Sequence, residues 1–263
     1  MDFTLNKYES LCQAVAKSKY VSMTLANYIQ LRHKKRNSPI IIMRHDIDRA
    51  PKRALDVAEV EYKYNIHATY YFRVQKRVCI TDIMDKVASY GHEIGFHYET
   101  IDKCKGNIEQ AKELFKKELA DFQNRYNILT VCAHGNPLTR NDNKDIWKSL
   151  KLEDFGLLGE AFLTLDYSKF AYFSDSGRTW LKNESQKMPG KDSVNTAFDQ
   201  LLTKNTDDVI KIIIEGTLPN ICILSHPERW SKDIVGFSGK YLLDLAYSWG
   251  KVAIYTYHRG IKS

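Results

Sequence analysis

The sequence predicts an α/β protein organised around a parallel β-sheet or barrel. Residues 39–43 form a continuous apolar run, Pro-Ile-Ile-Ile-Met, which is typical of a parallel strand buried on both faces. Strand-like and helix-like segments then alternate to about residue 132, and the connections between them are short. Repeated strand–helix units of this kind favour a parallel sheet with helices packed against it.

Two helices are predicted ahead of this strand. Tyr8, Leu11 and Val15 recur at helical spacing on one face, and a second helical stretch covers about residues 24–32. After the strand, an amphipathic helix is predicted at 50–64, with Pro51 in its first turn. Residues 68–74 are β-branched and aromatic, which predicts the second strand of the alternation.

The alternation continues through the middle of the chain. A helix at 81–90 is expected to end at Gly91. It is followed by a short strand at 92–97, a long charged helix at 108–126 and a strand at 128–132.

The second half of the chain gives weaker patterns. Strands are predicted at 171–174 and 221–224, and helices at 193–202, 207–215 and 239–249, whereas 141–170 shows no clear pattern. No Pro/Ser-rich linker, internal repeat or low-complexity segment divides the chain. We therefore expect one domain over residues 1–263, with 1–37 as an N-terminal helical extension packed on it.

The charge balance favours an anionic small-molecule partner over a nucleic acid. Lys and Arg number 39 against 32 Asp and Glu, a formal net charge of +7. This excess is spread along the chain, apart from the run at 32–36, which is expected to be a solvated segment. No nucleic-acid-binding motif accompanies the charge, so we expect a substrate such as a nucleotide-linked or lipid-linked molecule.

Cysteine usage and hydropathy point to the cytoplasm. The five cysteines are odd in number and show no Cys-x-x-Cys spacing, which predicts free thiols in a reducing compartment. The first residues lack the apolar core of a signal peptide. No apolar run approaches the roughly 20 residues of a membrane span, so we expect a cytoplasmic protein without a transmembrane segment.

Polar side chains follow the carboxyl ends of several predicted strands, where parallel α/β folds place their functional groups. These residues are Asp46, Asp48, His97, Glu99, His134, Asp175 and His226. Five strand ends carrying metal ligands and acid–base groups predict one shared site more strongly than any single strand end would.

The spacing of Asp46 and Asp48 has a direct chemical consequence. Residues two apart on a strand point the same way, so both carboxylates can converge while His45 and Ile47 face elsewhere. Two carboxylates that close repel each other unless a cation or a shared proton intervenes. A divalent metal meets this need and acidifies bound water, which leaves the second carboxylate to act as a general base. The alternative is a structural ion pair with Arg44 or Arg49.

These motifs together resemble the polysaccharide deacetylase (NodB-homology) superfamily. The resemblance rests on Asp-x-Asp at 46–48, on Gly-His-Glu-Ile-Gly-Phe-His at 91–97, and on Leu-Ser-His at 224–226. It implies a distorted (β/α) barrel of about seven parallel strands. It also implies metal-dependent removal of N- or O-acetyl groups from sugars.

The resemblance also implies roles for individual residues. By position, Asp46 corresponds to the catalytic base, Asp48 to a metal-binding carboxylate and His97 to the first metal-binding histidine. His226 corresponds to the general acid that protonates the leaving amine, and Asp175 to the aspartate that orients that region. Asp175 paired with Arg178 in a purely structural salt bridge is the alternative.

The chain departs from the family pattern at two places. Ile101 stands where the second metal-binding histidine is expected, four residues after His97. The later strand offers Cys132-Ala-His134 in place of an arginine that pairs with the base. We therefore expect His134 to complete a metal site with Asp48 and His97, with Glu99 as the reserve ligand.

The expected metal is zinc, with iron, nickel or cobalt as alternatives, because two imidazoles and one carboxylate suit these ions. Arg44, Glu99 and Arg178 are the expected substrate-binding side chains. The predicted activity is hydrolysis of an N-acyl group, in the first place acetyl, from a nucleotide-linked or lipid-linked sugar precursor of surface polysaccharide. Two alternatives stay open: a non-catalytic relative with a degraded metal site, and a hydrolase of cyclic amides or ureides.

Overall fold

The computed structural model describes residues 1–34, 37–136, 139–180, 194, 196–198, 201 and 203–232. Its strands are β1 (Val21–Met23), β2 (Ile40–Ile47), β3 (Thr69–Arg73), β4 (Glu93–Tyr98), β5 (Thr130–Ala133), β6 (Gly159–Glu160), β7 (Ala171–Ser174) and β8 (Ile221–Ser225). Its α-helices are α1 (Leu5–Lys17), α2 (Leu25–Leu31), α3 (Pro51–Lys63), α4 (Thr81–Ser89), α5 (Thr100–Lys103), α6 (Ile108–Gln123) and α7 (Thr206–Glu215). Short 3-10 helices cover Asn143–Lys148, Leu152–Phe155, Tyr167–Lys169 and Pro227–Arg229.

The strands form one parallel sheet that curls into a half-barrel, so the predicted α/β fold class with a distorted (β/α) barrel of about seven strands is confirmed. Seven strands follow the order β6-β5-β4-β3-β2-β8-β7, and β1 pairs with β2 off this path. Val21–Met23 lies beside Ile40–Ile42, whereas β3 joins β2 from Arg44 onward. Every strand of the half-barrel therefore points its carboxyl end in the same direction.

Most predicted elements are present, with boundaries shifted by a few residues. The first predicted strand is longer than expected, because β2 continues beyond the apolar run through Asp46 to Ile47. The strand predicted at 171–174 is β7 without any shift. The helix predicted at 239–249 lies outside the described residues, as does half of the one predicted at 193–202, and the described residues of that stretch are not helical.

The N-terminal residues contribute to the sheet as well as packing against it. Both predicted helices are present as α1 and α2, and each begins after a threonine whose side chain accepts a backbone N–H, Thr4 and Thr24 respectively. The strand β1 between them was not predicted, because three half-exposed residues give no apolar run. Residues 1–34 therefore contain a strand as well as the two predicted helices.

The glycine of the 91–97 motif is required by close packing inside the half-barrel. A Cβ added to Gly95 would lie 2.4 Å from ring carbons of Tyr71 and 3.1 Å from the carbonyl oxygen of Thr130. Tyr71 is fully buried, so its ring has no free space into which to move. Gly95 thus lets β4 approach its neighbours on the way to His97.

A buried acid joins helix α3 to the outer face of β2. The hydroxyl groups of Tyr8 and Tyr70 donate hydrogen bonds to Glu61, and His45 Nε2 lies 2.8 Å from Glu61 Oε1. Burial opposes ionisation of Glu61, but the nearby His45 and His92 outweigh it and lower the pKa of the carboxyl. His45 therefore points to the helix side of the sheet, while its neighbours Arg44 and Asp46 bond to each other on the inner side.

Within the described parts of the chain, no helix combines the length and apolar composition that crossing a bilayer requires.

Candidate metal centre and hydrolytic site

The carboxyl ends of β2, β4 and β5 bring three of the predicted metal ligands together. Asp48 Oδ1 lies 3.4 Å from His97 Nε2 and 3.5 Å from His134 Nε2. Ligand atoms bound to one tetrahedral zinc at about 2.0–2.2 Å lie about 3.3–3.6 Å apart. The carboxylate oxygen thus stands at a suitable ligand-to-ligand distance from both imidazoles, whose rings are 5.2 Å apart.

The surroundings of the Asp48 carboxylate are suited to a bound cation. Asp48 Oδ1 is buried and accepts no hydrogen bond, an arrangement that is costly for a carboxylate unless a charged group compensates it. Burial would raise the pKa of Asp48, but the neighbouring His97 and His134 rings outweigh it and hold the pKa of Asp48 well below its usual range. The Asp48 carboxylate therefore relies on positive charge at the place where a metal would sit.

The tautomer of His97 also suits ligation. Its Nδ1 lies 2.9 Å from the carbonyl oxygen of Cys132, so Nδ1–H donates and Nε2 faces the two aspartates. Burial disfavours the charged ring, but the Asp46 and Asp48 carboxylates outweigh it and raise the pKa of His97. A metal-ligating histidine needs this hydrogen bond at its second nitrogen to fix the ring.

Glu99 is placed behind His134 rather than beside the metal ligands. Arg73 and Gln75 donate to its carboxylate, and its Oε2 lies 3.7 Å from His134 Nδ1. That nitrogen is buried without a hydrogen-bond partner. At 3.7 Å the contact is electrostatic and not a hydrogen bond, so Glu99 would orient a metal-bound His134 only after moving closer to its far nitrogen.

We expect the Glu99→Gln variant to bind divalent metal about 10- to 100-fold more weakly, as is typical when such an orienting partner is changed. Glu118→Gln is the matched control, because Glu118 shares the Lys103 ammonium with Glu99 but belongs to helix α6. Metal affinity would be measured by competition with a chromophoric chelator. Equal affinity in Glu99→Gln and the unmodified chain would show that Glu99 does not orient His134.

The predicted base, Asp46, is held by Arg44. Asp46 is 2% exposed, and Arg44 Nη2 donates to its Oδ2 at 3.0 Å. Burial would raise the pKa of Asp46, but the Arg44 guanidinium, followed by His97, lowers it. Arg44 is itself only 1% exposed and packs over the Phe162 ring at 4.2 Å. This position suits an arginine that positions the base better than the substrate contact expected for Arg44.

The later strand ends supply a histidine–aspartate pair. His226 Nδ1 lies 2.7 Å from Asp175 Oδ1, and the His226 backbone N–H donates to Asp175 Oδ2 at 2.9 Å. Burial and the Arg229 cation oppose protonation of the ring, but the Asp175 carboxylate outweighs them and raises the pKa of His226. The imidazole is thereby favoured in the charged form, which can donate a proton from Nε2.

Strand pairing places this histidine next to the base. Ser225 is the register partner of His45 on β2, so the following residues, His226 and Asp46, lie side by side at the strand ends. His226 in turn contributes to lowering the pKa of both Asp46 and Asp48. The predicted base, the predicted metal ligands and the predicted acid therefore lie within one edge of the half-barrel.

One expected substrate-binding residue takes another position. Arg178 is 7% exposed, and its Nη1 donates to the carbonyl oxygen of Arg229, next to the 3-10 helix that follows His226. This contact supports the loop rather than an open substrate surface. Ile101, which stands where the motif resemblance leads one to expect a second histidine, is a core residue that is 2% exposed.

Sequence reasoning missed two residues of the site. Cys132 Sγ lies 3.9 Å from Asp46 Oδ2, and the two-residue spacing between Cys132 near the end of β5 and His134 just after it could have indicated it. Glu228 is 5% exposed, and burial together with the Asp48 charge raises its pKa to about 7. Its only sequence signal is the position two residues after His226.

An open cavity of about 360 Å³ lies next to Phe162, and none of the candidate metal-binding or catalytic residues lines it. It is lined by Lys144, Phe162, Leu163, Leu165, Asp166, Tyr167, Ser168 and Val194. Phe162 connects it to the site, because the Arg44 guanidinium packs on this ring and bonds to Asp46. The cavity is in the size range of small-molecule sites.

Comparison of the chain with protein-family models, with curated proteins and with solved structures gives no match.

Proposed function

We propose that this chain is a metal-dependent hydrolase that removes an N-acyl group, most simply acetyl, from a sugar or sugar precursor. The observation that carries the proposal is the convergence at one sheet edge of a buried base, a carboxylate with two imidazoles, and a histidine–aspartate pair. The motif resemblance to polysaccharide deacetylases supports the acyl-sugar substrate.

Asp48, His97 and His134 would hold the metal, with zinc preferred for a set of two imidazoles and one carboxylate. When bound, such an ion supplies Lewis-acid polarisation of the acyl carbonyl and acidifies a water molecule. Asp46, kept ionised by Arg44, accepts the proton of the attacking water. His226 gives its Nε2 proton to the departing amine, so that the C–N bond breaks into a carboxylate and a free amine.

The cavity next to Phe162 favours a small sugar precursor. Its volume of about 360 Å³ suits a sugar or nucleotide moiety, and Lys144 in its lining offers a cation for a phosphate. We propose a nucleotide-linked or lipid-linked N-acetylated sugar as the substrate class. A cytoplasmic location, where such precursors are made, belongs to the same proposal.

The test is acetate and amine release by the full chain loaded with zinc. Three substrate groups would be compared: N-acetylated nucleotide sugars, N-acetylated lipid-linked sugars, and cyclic ureides. Release of acetate from an N-acetylated sugar is the expected result. Ring opening of a ureide, without acetate release from any sugar, would assign the cyclic-amide alternative. A chain that binds no zinc and turns over none of the three substrate groups would assign the non-catalytic alternative.

The Asp175–His226 pair makes the reaction sensitive to alkaline pH. Because Asp175 raises the pKa of His226, the protonated form needed for amine departure is lost only as pH rises through that raised value. Asp175→Asn removes the negative charge, lowers the pKa of His226 and should move the alkaline limb of the kcat profile to lower pH. Ser225→Ala, which deletes a neutral hydrogen bond to the same carboxylate, is the control. An alkaline limb that stays in place in Asp175→Asn would remove His226 from this role.

A further inference from the structure

A second group of potential metal ligands lies next to the Asp48 group. Carboxylate, imidazole and thiol atoms of Asp46, His97 and Cys132 all lie within 4.8 Å of one another. Cys132 Sγ and His97 Nε2 are 3.9 Å and 3.8 Å from the same oxygen, Asp46 Oδ2. All three residues are at most 2% exposed, so they form one buried set.

The two groups share His97 and therefore exclude each other. Because His97 Nδ1 faces the carbonyl oxygen of Cys132 at 2.9 Å, only the lone pair of Nε2 is left for a metal. One lone pair binds one ion, so a metal held by Asp46, His97 and Cys132 takes His97 away from Asp48 and His134.

The groups differ in the softness of their donors. Asp48, His97 and His134 offer one oxygen and two nitrogens, whereas the other set replaces one imidazole by a thiolate. Thiolates select soft metals, and imidazole with carboxylate suits the borderline ones. The Arg44 guanidinium, bonded to Asp46, repels any cation in the thiolate set. Only a strong metal–sulfur bond overcomes that repulsion.

We infer that this centre has two alternative coordination sets, and that a thiophilic ion such as Cd²⁺ binds Asp46, His97 and Cys132 instead of the Asp48 set. On binding, the Cys132 S–H bond breaks, an S–Cd bond forms, and the proton passes to the buffer. A cadmium-loaded chain has its Asp46 carboxylate occupied. The inference concerns metal binding alone and goes beyond the proposed hydrolysis.

The test is ultraviolet absorption of the metal-free full chain during titration with Cd²⁺, which shows thiolate-to-cadmium charge transfer directly. The band should saturate at about one equivalent per chain and should be lost in Cys132→Ser. Cys222→Ser is the matched control and should keep the band, because Cys222 is equally buried but lies outside the set. His134→Ala and Asp48→Asn should also keep it, since neither residue belongs to the thiolate set.

Three results would overturn the inference: no band in the unmodified chain, a band that persists in Cys132→Ser, or a band lost in His134→Ala, Asp48→Asn or Cys222→Ser. Zinc content and thermal unfolding of Cys132→Ser show that the variant is folded, and Cys132→Ala repeats the test with a second side chain. The measurement needs no substrate. Failure of the proposed hydrolysis therefore leaves the band unchanged, and absence of the band leaves acetate release unchanged.

Discussion

Replacement of Asp48 by asparagine is expected to abolish stoichiometric zinc in the purified chain. Its Oδ1 is the atom within 3.4–3.5 Å of both ligand imidazoles, and an amide oxygen brings no negative charge to offset the dication. The unmodified chain should hold about one zinc per molecule. Zinc at 100 times Kd should stabilise the unmodified chain by about 2.7 kcal/mol and should not stabilise Asp48→Asn. Elemental analysis and denaturation with and without zinc measure both effects.

A surface aspartate provides the control for this variant. Asp85→Asn removes a carboxylate that is paired with Arg125 outside the site, so zinc content and zinc-dependent stability should stay as in the unmodified chain. Full zinc retention by Asp48→Asn would contradict the assignment of Asp48 as a ligand.

Asp46→Asn is expected to separate catalysis from metal binding. Loss of a positioned general base costs about 10²- to 10⁴-fold in rate, so kcat for acyl release should fall by this factor. Zinc should remain bound, because Asp46 does not belong to the Asp48 set. The asparagine oxygen still accepts the Arg44 hydrogen bond, although the buried guanidinium loses its counter-charge, which costs about 3–5 kcal/mol in comparable sites.

Zinc content serves as the internal control for Asp46→Asn. A variant that still binds zinc has an intact centre, so its loss of rate is a catalytic effect. Unchanged kcat in a zinc-loaded Asp46→Asn would remove Asp46 as the proton acceptor. Loss of zinc from Asp46→Asn would show that Asp46 is a metal ligand in addition to Asp48.

The sheet and the position of its site were predictable because their signals are local. The segment that forms β2 is buried along its whole length. A short apolar segment of this kind is typical of a central strand of a parallel sheet. The convergence of Asp48, His97 and His134 follows from the rule that parallel strands present their carboxyl ends on one edge. Only strand order and register, which no local signal gives, were needed to bring these residues into contact.

The remaining features depend on contacts between distant segments. Glu99 lies on the same face as His97 in a strand pattern, but the backbone turns into α5 after β4, and Arg73 of the neighbouring strand fixes its carboxylate behind His134. Glu61 collects its partners from α1, β2 and β3, and no periodicity indicates such a buried acid. Residues 141–170 contain three short 3-10 helices and the two-residue strand β6, and elements this short leave no repeating pattern.

The most direct test of the metal centre is anomalous diffraction at the zinc absorption edge from crystals of the zinc-loaded chain. We expect one strong peak at about 2.0–2.2 Å from Asp48 Oδ1, His97 Nε2 and His134 Nε2. Absence of a peak at this edge of the sheet, or a zinc ion bonded to Cys132 Sγ and Asp46 in its place, would contradict this expectation.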